Sequence, residues 1–188
     1  MITRIELALQ EQYFDSEAQG ILAGARDLGI SGIEQVYVFH VYYLQGELSA
    51  ADKVGIAKSL FADGVTQEFA IDKHIVRGQG AHCWSIEITW NRGVTDMVAE
   101  TARKGLQDLG ITTITDAKTA KRYEFLGDFQ NTNRKLIVQR LLLNKVVQHG
   151  LQPGEKLLVS IADPPFSLTP NPLREAVDEA LRVASLAH

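Results

Sequence analysis

The chain has 188 residues, 45% of them hydrophobic and 22% charged, with a formal net charge of −4. That length suits one medium domain or two small ones with a core that needs no disulfide or metal, and the acidic balance argues against bulk nucleic-acid binding. The single cysteine, Cys83, excludes an internal disulfide and a Cys/His zinc pair. No signal-peptide pattern opens the chain and no apolar run approaches the roughly 20 residues of a membrane helix, so a soluble, cytoplasmic protein is expected, with no nucleic-acid and no membrane partner.

The first element is a strand: Ile5, Leu7 and Leu9 alternate with polar or small residues. Ser16, with Gln19 three residues on, is the expected cap of a helix whose apolar stripe is Ala18, Ile21, Leu22, Ala25 and Leu28. Gly29 falls where a helix takes a left-handed residue. A long β-rich stretch, Ile33 to Leu48, follows, and its length predicts a bend or an extra short strand. Ser49 with Asp52 opens a second helix carrying Ile56, Ala57, Leu60 and Phe61, and Val65 to Ile71 forms a last strand. Arg77-Gly78-Gln79-Gly80 reads as a short flexible linker.

The same plan then repeats at a spacing of 81 residues. Ile5-Glu6 meets Ile86-Glu87, Asp15 meets Asp96, and Asp27-Leu28-Gly29-Ile30 meets Asp108-Leu109-Gly110-Ile111. Tyr42 meets Tyr123, Gly46 meets Gly127, and Leu60, Val65 and Gln67 meet Leu141, Val146 and Gln148. In the second copy Thr95 or Asp96 is the expected helix cap, and His149-Gly150 interrupts the last strand, which the run Leu157 to Ile161 is expected to complete. The expected fold is α+β: two tandem β-α-β-α-β repeats, each a small antiparallel sheet with two helices on one face, related by a pseudo-twofold. The boundaries are 1–76 for the first repeat, 82–162 for the second, and 163–188 for a proline-rich linker and amphipathic helix. All five prolines lie between 153 and 172, and Leu173, Ala176, Val177, Ala180, Leu181 and Ala184 form the stripe of that helix, with Asn171 as its cap.

Several segments carry a family resemblance. They are Trp90 to Asp96, leading from strand to helix, and Lys121-Arg122-Tyr123-Glu124-Phe125 with His40-Val41-Tyr42-Tyr43-Leu44 on the long strands. The ends of the second helices, Leu60 to Gln67 and Leu141 to Gln148, complete the set. In this order, twice, over about residues 5 to 150, they resemble the PurS-like small subunit of phosphoribosylformylglycinamidine synthase. The tandem copy looks like the N-terminal region of the large single-chain form of that enzyme. The resemblance implies a role in de novo purine synthesis as a non-catalytic part that bridges the glutaminase and synthetase parts and helps shape ammonia transfer. It implies no cofactor in this chain, with ATP and magnesium belonging to the synthetase partner, and it makes 163–188 a linker leading towards a synthetase domain.

The residue inventory fits that expectation. The chain has no GxxxxGK[ST] loop. Cys83 is expected to be an inert thiol, because its neighbour His82 points to the opposite face of a strand. The candidate partner-interface residues are Tyr42, Tyr43, Tyr123, Asp15, Asp96, Gln67 and Gln148. For Asp15 and Asp96 helix capping is the plainer role; for Tyr42 and Tyr123 core packing is an equal one, and Trp84 and Trp90 are expected in the core. A different class of function, a small-metabolite-binding regulatory module with a pseudo-symmetric site, is the alternative.

Overall fold

Alternating apolar residues and two helical stripes per half produce the elements in the expected order. The computed structural model describes residues 1–78 and 82–158. It contains β1 (Ile2–Leu9), α1 (Ser16–Asp27), β2 (Ile33–Gly46), α2 (Ala50–Ile56), β3 (Gln67–Ile71), β4 (Cys83–Trp90), α3 (Met97–Asp108), β5 (Ile114–Gly127), α4 (Asn131–Ile137) and β6 (Gln148–Gly150). Residues 159–188, with the stripe from Leu173 to Ala184 and most of the run Leu157 to Ile161 expected to complete the last strand, lie outside the described residues, as do 79–81; Leu157 and Leu158 are not in a strand.

The class is α+β, and the six strands form one antiparallel sheet in the order β3-β1-β2-β5-β4-β6. The small antiparallel sheets expected of the two repeats are halves of this one sheet. They merge because β2 and β5 pair along their full lengths, from Ile33↔Gly127 to Gly46↔Ile114. Pairing leaves neither long strand as an open edge, where unmatched backbone groups invite aggregation. The register is reciprocal: Val38 pairs with Tyr123 and Tyr42 with Thr119, so each pair joins the counterparts, 81 residues on, of the other. Nor is there an extra short strand in Ile33–Leu48. β2 runs unbroken for 14 residues, as does β5. Gly46 and Gly127 end the two strands at φ +154° and +129°, where an added Cβ would run into the backbone oxygens of Thr113 and Gly32.

The caps follow the sequence with one shift. Asp15, rather than Ser16, caps α1, its carboxylate accepting from Ala18 N at 2.9 Å, and Asp96 does the same for α3 from Ala99 N at 2.9 Å. Aspartate suits both the cap and the positive end of the helix dipole. Ser49 and Asp52 close a reciprocal capping box on α2. Gly29 and Gly110 take left-handed φ values of +74° and +81° after α1 and α3. Helices α2 and α4 each end in a π turn, Ala57–Phe61 and Val138–Leu142, with Ala62 N donating to Ala57 O and Leu143 N to Val138 O.

The four described helices cover one face of the sheet, and they are exchanged between the halves. α1 packs with Ile137 and Leu142 over Val36, Val38, Ile88 and Phe125, while α3 packs with Ile56 and Ala57 over Ile5, Leu7, Leu44 and Ala117. Close approach is made possible by two glycines. A Cβ on Gly24 would fall 2.9 Å from Leu141 Cδ2, and one on Gly105 2.7 Å from Leu60 Cδ1. The other face holds a smaller apolar group, Ala8, Phe39, Ala70 and Ile75, with Tyr37 against it. β6 has three residues against five in β3, because the chain turns off at Gly150 and Leu151 N donates to Glu87 O at 2.8 Å.

Candidate interface sites on the two sheet faces

The seven sequence candidates divide between the two faces and the turns. Alternation along a strand puts Tyr42 and Tyr123 under the helices and Tyr43 on the opposite face. Tyr42 packs its ring on Phe61, centroids 4.4 Å apart. Tyr123 is buried, and its hydroxyl lies 3.4 Å from Glu17 Oε1 on α1. Burial, then the Glu17 carboxylate, pushes the Tyr123 phenol well above its ordinary value. Glu17 also receives Lys121 Nζ at 2.7 and 2.8 Å. Beside this cluster a groove of about 110 Å³ is lined by His40, Tyr42, Trp90, Lys121 and Gln148. Desolvation, then the neighbouring Lys121 ammonium, pushes the His40 imidazole down.

Asp96 is buried and spends both oxygens inside the chain. Oδ1 caps α3, and Oδ2 accepts from Thr119 N at 2.6 Å and Thr119 Oγ1 at 2.8 Å. Asp15 caps α1 only, since its strand neighbour by the repeat is Val38, which has no hydroxyl. Gln67 and Gln148 close matching turns, accepting from Asp63 N at 3.0 Å and Asn144 N at 3.2 Å. Their identity in the repeat therefore has a local structural cause.

Tyr43 leads to the feature that sequence reasoning missed. On the face opposite the described helices, β1 supplies Arg4 and Glu6, β4 supplies Glu87, and β5 supplies Arg122 and Glu124. Arg122 donates to Glu6 at 3.1 and 2.7 Å and to Glu124 at 2.8 Å, and its guanidinium lies 3.7 Å from the centroid of Phe39. Arg4 pairs with Glu6 and, at 3.3 Å, with Glu87, while the Tyr43 hydroxyl bonds Glu87 and accepts from Arg4 Nε at 3.3 Å. Burial and then Glu87 push the Tyr43 phenol far above its ordinary value. Burial on its own raises the Glu6 carboxyl, but the Arg122 and Arg4 guanidiniums hold it below its ordinary value.

These charges are buried because the chain leaving β3 crosses over them. Asp72, at φ +55°, turns it off the sheet, and Asp72 Oδ1 accepts from Arg4 N at 2.9 Å. Ile75 N then donates to Glu6 Oε1 at 2.7 Å, Arg122 donates to Ile75 O at 2.7 Å, and Gly78 N donates to Glu124 Oε1 at 2.7 Å. Arg77, expected in a flexible linker, donates to Leu9 O at 2.9 Å and pairs with Glu68. The described part of this connection is thus docked main chain, held by charged side chains from both halves. Polar residues that alternate with apolar ones read as solvent-facing, so the sequence hides such a cover.

Cys83 is half-buried on β4, and burial followed by Glu124 pushes its thiol up, away from the reactive thiolate. Trp84 packs on Phe125 at 5.1 Å and edge-on to Phe129 at 6.1 Å. Among the described residues no helix is long and apolar enough to cross a membrane. In comparison with known proteins, the chain matches no protein-family model and no curated protein sequence.

Proposed function

We propose that the chain is a duplicated PurS-like module of phosphoribosylformylglycinamidine synthase, acting without chemistry of its own in the cytoplasm. In this reading it bridges the glutaminase and synthetase parts and shapes the transfer of ammonia between them, while ATP and magnesium act in the synthetase. The two repeats are a dimer written in one chain, related by a pseudo-twofold through the β2·β5 pair. The observation that carries this is the reciprocal register of β2 and β5, with Val38 against Tyr123 and Tyr42 against Thr119. The exchange of helices, Gly24 against Leu141 and Gly105 against Leu60, supports it further. A two-part scaffold whose buried charges, Glu6, Arg122 and Glu124, are committed to one another suits assembly better than turnover. The test is native mass spectrometry of the chain mixed with separate glutaminase and synthetase parts. A complex containing all three is expected; a chain that stays apart from both removes the bridging role.

A second reading is a regulatory module that binds a small metabolite. The groove between His40 and Lys121 favours it, since both halves line it. Calorimetry of the chain with glutamine, amino acids and purine intermediates decides: tight binding of one of them by the chain alone selects this reading, and flat titrations remove it.

A further inference from the structure

The short β6 leaves an opening beside β4. Where β6 stops, a pocket of about 510 Å³ lies between β4 and α4, with Trp84 and Leu143 as its apolar floor and Arg134, Lys135, Lys145 and His149 at its rim. Among the described residues no carboxylate lines it. The Arg134 guanidinium lies 5.5 Å from the Trp84 ring and 5.7 Å from the Phe129 ring. Arg134 Nε is buried and meets no hydrogen-bond partner among the described residues. A buried donor left unmet is costly and marks a place where an acceptor is missing.

The first half deals with the same position differently. Lys53, the counterpart of Arg134, is neutralised by Asp72 at 2.6 Å. Thr3 stands where the second half has Trp84, and Gly64 where it has Lys145. The second half therefore replaces a closed ion pair with an open pocket lined by basic side chains over an indole. His149 is fixed from behind, Nδ1 to Asn91 Oδ1 and Nε2 to Glu155 Oε1, each at 2.9 Å.

We propose that this pocket binds an organic anion carrying a flat apolar group, of the aryl phosphate type. The anion meets Arg134 and Lys145, which form no ion pair among the described residues, and the flat group lies on Trp84 and Leu143. Arginine is suited to both parts, because its planar fork bonds phosphate oxygens while its face stays on an aromatic ring. The proposal stands apart from the assembly role and survives its failure.

Phenyl phosphate is the probe, and the full chain carrying Trp90→Phe is the reporter, leaving Trp84 as its one indole. Phenyl phosphate is expected to change Trp84 emission saturably, more weakly at high salt, with phenol giving no saturable change. Arg134→Met is expected to weaken binding about tenfold or more. Arg134→Lys keeps the charge and is expected to fall between. Lys145 is exposed in a turn, so Lys145→Ala tests the rim without threatening the fold, with a loss of roughly three- to tenfold. A flat titration, an equal response to phenol, or unchanged binding in Arg134→Met and Lys145→Ala overturns the proposal.

Discussion

Replacing Arg122 by methionine removes the guanidinium at the centre of the face opposite the described helices while keeping most of its apolar stem. Glu6, fully buried, then loses bonds of 2.7 and 3.1 Å, Glu124 loses one of 2.8 Å, and Ile75 O loses one of 2.7 Å. The stacking on Phe39 at 3.7 Å goes as well. Breaking a buried ion pair from one side costs about 3–5 kcal/mol, because the remaining charge stays desolvated. With a urea slope of about 2 kcal/mol/M, the midpoint falls by roughly 1.5–2.5 M at neutral pH. In the unaltered chain Glu6 is held low, so its contribution is complete above its ordinary value of 4.5 and is lost as pH falls through the folded value. In the variant Glu6 keeps Arg4, the Ile75 N–H and the His74 ring as partners but loses its buried counter-charge. Its carboxyl rises, proton uptake favours the folded form, and the deficit shrinks between about pH 7 and pH 5. Adding Glu6→Gln to Arg122→Met is expected to recover stability rather than lose more. Urea titrations at both pH values measure this. A loss under about 1 kcal/mol, or a larger loss that is the same at both pH values, refutes the account of a buried, mutually compensated network.

Two further predictions each compare a pair of sites. Gly105→Ala is expected to cost about 1–2 kcal/mol, since its Cβ falls 2.7 Å from Leu60 Cδ1, whereas Gly20→Ala, with open space around it, is expected to stabilise α1 by roughly 0.5–1 kcal/mol. Equal effects in thermal unfolding would remove the helix–helix contact from the explanation. Asp15→Ala is expected to cost about 1 kcal/mol as a lost cap, and Asp96→Ala about 2–4 kcal/mol, because Thr119 N and Oγ1 also lose their acceptor. An Asp96 loss no larger than that of Asp15 contradicts the assignment.

What the sequence makes legible is local. Apolar alternation in β1 and β4 and the stripes of α1 and α3 are written in residue order, as are the glycines after those helices. The cap of α1 moves by one residue because Asp15 and Ser16 are both competent, and only the direction of the chain decides between them. The π turns carry no residue signature. The exchange of helices between halves is invisible, because a repeat states what resembles what and not what touches what. For the site, Tyr43 is legible as a polar-tipped aromatic, but Arg4, Glu6, Arg122 and Glu124 read as ordinary outward-facing charges. Their burial depends on Asp72–Gly78 crossing the sheet, a contact between residues about 45 to 70 apart in sequence.

The central claim is that this chain couples a glutaminase to a synthetase. The direct measurement compares amidine formation from formylglycinamide ribonucleotide driven by glutamine with that driven by ammonia, with and without the chain, using separate glutaminase and synthetase parts. The account predicts that omitting the chain abolishes glutamine-driven turnover and leaves ammonia-driven turnover largely intact. Glutamine-driven turnover that continues unchanged without the chain contradicts it.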